Sequence, residues 1–371
     1  MKFTADTTEL QRALGRVGGV IPSKSPTPIL EDFLFDLSGN NLTITATDLE
    51  VSFTTSMDVK GKTDGSIAIP AKRMIDTVRA LPADSNPVIA SDQSRNKVMI
   101  TTKNGEFNLS GEDAKEFPSI PAFKAGEEVD VDCSELRKII QHTTFAVSTD
   151  ELRPAMMGVL FESKGNELRA VSTDGHRLVR YTRRLASKGS LKRNIIVPAK
   201  ALQILSKTLE GGSATIGISE KFIRFAFGRN VILSRLIDET YPSYESVIPT
   251  DNEMVMSVNR ELILSALRRV ALYSSASNHH IRLGLKEGTL TVRAQDVDFG
   301  GEAHETVPCS YNGGEMEIGF NAHYVVEMLT HLEAETVSFR FSSPTRAGLL
   351  VPDAENGSDV LMLVMPVRLT N

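Results

Sequence analysis

The chain has 371 residues and a mass of 40.5 kDa, with 41% hydrophobic and 24% charged residues, a composition that excludes disorder and suits a soluble globular protein. Its net charge is −6, no run of about 18 apolar residues occurs, and the opening MKFTADTTELQ has no apolar signal core, so no membrane span is expected and the expected location is the cytoplasm. Cys133 and Cys309 lack metal-ligand spacing and read as two unrelated reduced thiols, with no metal or cofactor expected.

The first element is FTADTTELQRALGRV (3–17), a short strand leading into apolar positions at helical spacing. LTITATDLEVSFT follows as two alternating, half-buried strands that meet at a turn holding Asp48. IAIPAKRMIDTVRALP (67–82) is then a β-branched run, a helix-opening residue and a second helix, with Pro70 expected in the first helical turn, where a missing N–H costs nothing.

The same order returns twice. VDVDCSELRKIIQHT (129–143), LRAVSTDGHRLVR and IIVPAKALQILSKTLE (195–210) form a second set, with Pro198 placed like Pro70. MSVNRELILSALRRV (256–270), LTVRAQDVDFGGE and IGFNAHYVVEMLTHLE (318–333) form a third, in which Asn321 offers an N-cap side chain instead. Leu10, Leu136 and Leu262 are 126 residues apart each time, and Asp48, Asp174 and Asp296 fall at one place. A period of about 125 is far above the roughly 20–50 residues of solenoid repeats and is a domain length. The expected fold is therefore α+β, in three like domains of two helices and roughly eight short strands each, the helices laid on antiparallel sheets. The expected domains are 1–120, 121–249 and 250–371. EFPSIPAF (116–123) and TYPSYESVIP (240–249) read as joints. Pro118, Pro242 and Pro366 are spaced by 124 residues, which puts the tail MPVRLTN where the first two repeats have a linker and leaves it open to other work.

Charge is unevenly distributed. The six expected helices (7–18, 71–81, 134–145, 199–209, 260–271, 322–332) carry twelve basic and five acidic residues, while the rest of the chain carries 29 basic and 42 acidic ones. Such helices have either ordinary solvated faces or a shared positive side for a polyanion. With no Trp and no base-reading motif, contact would be to phosphates and blind to sequence.

Two features occur in one repeat only. Asp174 recurs as Asp48 and Asp296 and so reads as a turn residue, but Gly175, His176 and Arg177 do not recur. His176 is either a partly buried structural histidine or, in the alternative reading, part of a hydrolase built on TDGHR. No nucleophile or metal partner stands at close spacing, and the adjacent His279 and His280 are poorly placed to chelate. In the tail LMLVMPVRL, Met365, Val367 and Leu369 surround Pro366; they form a last core strand or wall a groove.

From MKFT through TDLE, TDGHRL, EMEIGFN and MPVRL, the chain resembles end to end the bacterial DNA polymerase III beta subunit family, the replicative sliding clamps. The resemblance implies a nonenzymatic processivity factor. Two subunits of three domains each, every subunit half of a closed ring, would join head to tail as a homodimer around double-stranded DNA with helices lining the hole. It places Lys24, Arg73 and Lys200 on DNA, and Phe107 and Leu109 against Leu272 and Tyr273 across the joint, with edge strands pairing there.

The resemblance also implies a pocket for short linear peptides of the replicative polymerase, the clamp loader, other polymerases and repair proteins. Its wall would comprise Met156, Thr173, Gly175, His176, Arg177, Leu178, Pro242, Val247, Gly348, Leu363, Met365, Pro366, Val367, Arg368 and Leu369. The chain departs from the family pattern at Val367, where a second Met is usual, at Met156, where a Leu is common, and in the extension Thr370 and Asn371. These departures bear on partner ranking. A monomeric nucleic-acid-binding scaffold is the remaining reading.

Overall fold

A computed structural model describes residues 1–92, 94–164, 167–184, 191–353 and 358–369. The described residues hold six α-helices: α1 (Thr7–Val17), α2 (Ala71–Ala80), α3 (Cys133–Thr143), α4 (Ala199–Thr208), α5 (Arg260–Val270) and α6 (Ala322–Thr330). Each follows a strand, directly for α2 to α6 and after Ala5 and Asp6 for α1, and the strand pairings are antiparallel.

Local chemistry sets the helix starts. Asp6 accepts from the Glu9 N–H, Asn321 from the His323 N–H, and Asn259 from both Glu261 and Leu262, so first-turn donors that the helix cannot satisfy find side-chain acceptors. The prolines sit one place earlier than the sequence suggests. Pro70 and Pro198 end the preceding strands, and Pro70, at φ −51° and ψ 111°, is the residue before the first helical one.

Packing corrects the register of the third repeat. α1 and α3 bury Leu10 and Leu136 completely, but Leu262 is half exposed and Ile263 takes the core position. α5 turns Ile263, Leu264, Ala266, Leu267 and Val270 inward, each large side chain contributing about 1.5–3 kcal/mol on burial. The core equivalence thus runs one residue later than the leucine spacing indicates.

The chain forms two compact units, Met1–Arg137 with Lys200–Leu236, and Lys138–Ala199 with Ile237–Asn371. In the first, one sheet has five strands and ends in Glu106–Ser110, and another has eight. The eight-stranded sheet is continuous across repeats, because Asn230–Arg235 pairs with Val51–Asp58 and the Thr55 hydroxyl donates to the buried side-chain oxygen Oδ1 of Asn230 at 2.8 Å. In the second unit a twelve-stranded sheet is joined in the same way by Arg177–Arg184 and Ser358–Val364.

The recurring aspartates do one job. Asp48 accepts from the N–H groups of Glu50 and Val51, Asp174 from those of His176 and Arg177, and Asp296 from those of Asp298 and Phe299. Each caps the turn between two strands. The second turn residue is left-handed in the first two repeats, Leu49 at φ 76° and Gly175 at φ 89°.

Asn259→Ala removes the shared acceptor of two first-turn amides of α5. The expected cost is about 1 kcal/mol, read as roughly fivefold faster hydrogen exchange of the Glu261 and Leu262 amides.

Candidate functional site

The segment Thr173–Leu178 is fixed by its own hydrogen bonds. The Thr173 hydroxyl donates to the Arg177 carbonyl at 2.7 Å and accepts from the Gly175 N–H at 3.1 Å. At Gly175 a Cβ would stand 2.9 Å from the Arg153 guanidinium, so glycine serves both the left-handed turn and that close approach.

Arg177 is buried with every nitrogen engaged. Nε donates to Asp174 at 3.0 Å, Nη1 to Glu327 on α6, and Nη2 to the Phe145 carbonyl at 2.7 Å. Its guanidinium also lies 4.7 Å from the Tyr324 ring centre and 5.3 Å from that of Phe145. Arg177, expected as a wall residue, acts as a clip that fastens the turn to α6. Asp174 is engaged by the same clip, and the His176 ring stacks on Tyr324 with centroids 6.1 Å apart.

Residues through Val364 form the last strand, and the chain then leaves the sheet. The Met365 N–H donates to the His176 carbonyl at 2.8 Å, and the Val367 N–H to the Gly319 carbonyl at 2.9 Å. A Cβ at Gly319 would collide with Leu369 at 2.5 Å and Val367 at 2.9 Å, so that glycine gives the tail its seat on the strand Met316–Asn321. Met365 is exposed, Pro366, Val367 and Leu369 are half-buried, and Arg368 points to solvent. Thr370 and Asn371 lie outside the described residues.

Leu178 and Leu363 belong to one apolar cluster with Leu160, Val171, Ile196, Tyr244, Ala347 and Leu349. Ala155, which precedes the buried Met156, packs on the cluster, as do Tyr241 and Ile248. Exposed Pro242 leads into the short 3₁₀ turn Tyr244–Val247, which buries Tyr244 and exposes Val247. Gly348 faces the other way: its Cβ position meets Phe341 and Phe320, because alternation along the strand gives the cluster Ala347 and Leu349 instead.

Polar bonds hold the 3₁₀ turn. The Tyr244 hydroxyl donates to Glu162, Arg169 bonds Glu245 at 3.1 Å, and Lys164 bonds Glu245 at 3.0 Å. Burial and the adjacent Glu162 push the Tyr244 hydroxyl up to about 12. Tyr244, Tyr324, Ala347 and Arg153 were missed in the sequence, where the one signal was the TYPSYES joint.

In the first unit, Lys24 is exposed on a loop and Arg73 on the first turn of α2, while Lys200 on α4 is ion-paired with Asp48. A groove of about 520 Å³ between α1 and α4 adds Arg12, Arg16 and Lys207 to Lys200 above the bare backbone of Gly15 and Gly19. Phe107 is exposed and Leu109 half-buried on the edge strand Glu106–Ser110. In the second unit, Leu272 and Tyr273 are exposed on the 3₁₀ turn Ala271–Tyr273, not on a strand. The open strand edge nearby is Gly301–Pro308: it pairs with Thr289–Asp296, and the other neighbour, Met254–Asn259, reaches only Cys309–Tyr311. Val297 and Phe299, both more than 80% exposed, precede that edge.

The chain matches the DNA polymerase III beta subunit in three parts: its N-terminal domain over residues 1–121, its central domain over 130–243 and its C-terminal domain over 245–368. The chain belongs to the DNA polymerase III beta subunit family. The beta sliding clamps of Caulobacter vibrioides and Pseudomonas aeruginosa are each 31% identical to it, over 99% and 100% of this chain and all of the relative. Among solved structures, a Bartonella birtlesii sliding clamp bound to griselimycin superposes with a TM-score of 0.94 at 32% identity, and the P. aeruginosa beta subunit with 0.92 at 31%, both over the full length of each chain. Membership makes the chain a sliding clamp, an accessory processivity factor of DNA replication whose partners are DNA and polymerase, and it displaces the hydrolase reading. No helix among the described residues is long and apolar enough to cross a membrane.

Arg177→Ala removes the guanidinium donor of Asp174 Oδ2 and of the Phe145 carbonyl. The turn is expected to loosen by about 2–4 kcal/mol, measured by hydrogen exchange at the His176 and Arg177 amides.

Proposed function

We propose that the groove bounded by the Thr173–Leu178 turn, the 3₁₀ turn Tyr244–Val247 and the tail Met365–Leu369 takes a short linear peptide carried by polymerases, the clamp loader and repair proteins. The observation that carries this reading is the tail. It leaves the sheet at Met365 and is tied down by single backbone bonds to His176 and Gly319, with Met365 and Val247 exposed beside a packed apolar cluster. Apolar anchors can bury there, and the thioether of Met365 adapts to different ones. Clamps of B. birtlesii and P. aeruginosa bind griselimycin, which supports a ligand-accepting surface on this fold.

Two copies close head to tail around duplex DNA in the cytoplasm, the strand carrying Phe107 and Leu109 meeting the open edge Gly301–Pro308 beside Leu272 and Tyr273. Exposed apolar side chains next to two unpaired strand edges support this contact. Lys24, Arg73, Lys200 and the α1/α4 groove meet phosphates, and the domains run 1–120, 121–249 and 250–371.

A fluorescent peptide of the type glutamine-leucine-x-leucine-phenylalanine is expected to bind the full chain with Kd about 1 μM, near −8 kcal/mol, and not a chain ending at Val364. Equal binding by both would remove the tail from the site. Tyr273→Asp is expected to convert a dimer of the 40.5 kDa chain to monomer in sedimentation velocity, with the far-ultraviolet spectrum unchanged.

A further inference from the structure

A second cavity, of about 560 Å³, opens in the first domain at the start of α2. Its apolar wall comes from Ile21, Pro22, Pro28 and Ile75, and its acidic one from Glu31, Asp32, Asp76 and Glu112, with Lys72 and Arg73 also lining it. The acidic groups outnumber the basic ones two to one. Asp32 is only 5% exposed, and its Oδ2 has no hydrogen-bond partner. Such an atom is costly to keep, because a buried acceptor without a donor forfeits its solvation. Of the residues lining the cavity, Arg73 alone belongs to a surface assigned above, and Asp32 to none.

We infer that this cavity binds a primary ammonium group on a short aliphatic chain. The apolar wall suits the methylene stem and the carboxylates suit the charged head, which supplies the donor that Oδ2 lacks. Rotation about χ2, a broad two-fold torsion, presents either oxygen to the cavity. Burial, with the charges of Glu112 and Glu31 beside it, raises the Asp32 carboxyl to about 7, so near neutrality the group carries a proton where the ligand would bring its own. Binding therefore exchanges one for the other: the O–H bond breaks, the proton leaves to solvent, and the carboxylate pairs with the intact ammonium. Glu31, Asp76 and Glu112 reinforce the cation and Lys72 and Arg73 oppose it.

The native carboxyl holds its proton more tightly than the unfolded one. Its contribution to stability is therefore full at low pH and lost as pH rises through about 7. Asp32→Asn is expected to raise the melting temperature at pH 8, with the gain shrinking toward pH 4.

Calorimetric titration of the full chain with spermidine, and separately with N-acetyl-lysine methylamide, tests the site. At least one is expected to saturate a single site at pH 8, to bind at least tenfold more weakly at pH 6 with proton release, and to lose that site in Asp32→Asn but not in Asp36→Asn, an exposed position on the same strand. Spermidine alone identifies a free polyamine as the ligand, and the lysine analogue alone a partner's lysine side chain. Failure of both to bind at pH 8, or binding unchanged in Asp32→Asn, overturns the inference.

Discussion

Each repeat would leave an open sheet edge unless a strand of the following repeat paired with it. Val51–Asp58 is closed by Asn230–Arg235, and Arg177–Arg184 by Ser358–Val364. Both joints end in the same bond, a backbone N–H donated to the turn just before the strand: Arg235 to Glu50, and Met365 to His176. An unpaired edge costs its backbone groups their partners and invites association with other chains. Pairing across repeats meets that need and brings the TDGHR turn beside the tail. The proposed peptide site is thus a product of sheet completion.

The basic helices illustrate a different balance. Arg12 pairs with Glu9, Arg16 with Glu210 and Lys200 with Asp48, all at solvent-accessible positions. Exposed pairs of this kind are worth about 0–1 kcal/mol, so exchanging a carboxylate for a passing phosphate changes the energy little. A surface of cations held so loosely suits a clamp that must move along DNA. Arg177 is the opposite case: buried, bonded in three directions and stacked on aromatic rings, it holds one geometry.

Local physics was legible in the residues themselves, and tertiary placement only where the family resemblance supplied it. Strand, cap and helix repeat because capping and apolar periodicity act within a few residues, and the recurring aspartates announced their turns for the same reason. Leucine spacing misled at Leu262, since one residue of offset at the Asn259 cap turns a helix by about 100°, enough to exchange a core position for a solvent one. At Gly348 a Cβ would point to Phe341 and Phe320, while its neighbours Ala347 and Leu349 face the cluster, because a strand reverses its side chains at every step. Tyr244 and Tyr324 come from segments far from the turn in sequence, and only folding shows that one is buried in the apolar cluster while the other lies against Arg177 and His176.

The account stands on a topological hold on DNA that does not require tight phosphate contact. The most direct test loads the protein with its clamp loader onto a nicked circular plasmid, passes the complex through gel filtration, and then linearises the plasmid with a single-site nuclease. Retention on the circle and loss from the cut ends is the predicted result. Equal retention on circular and linear DNA would show that contact, not encirclement, holds the protein, and would contradict the account.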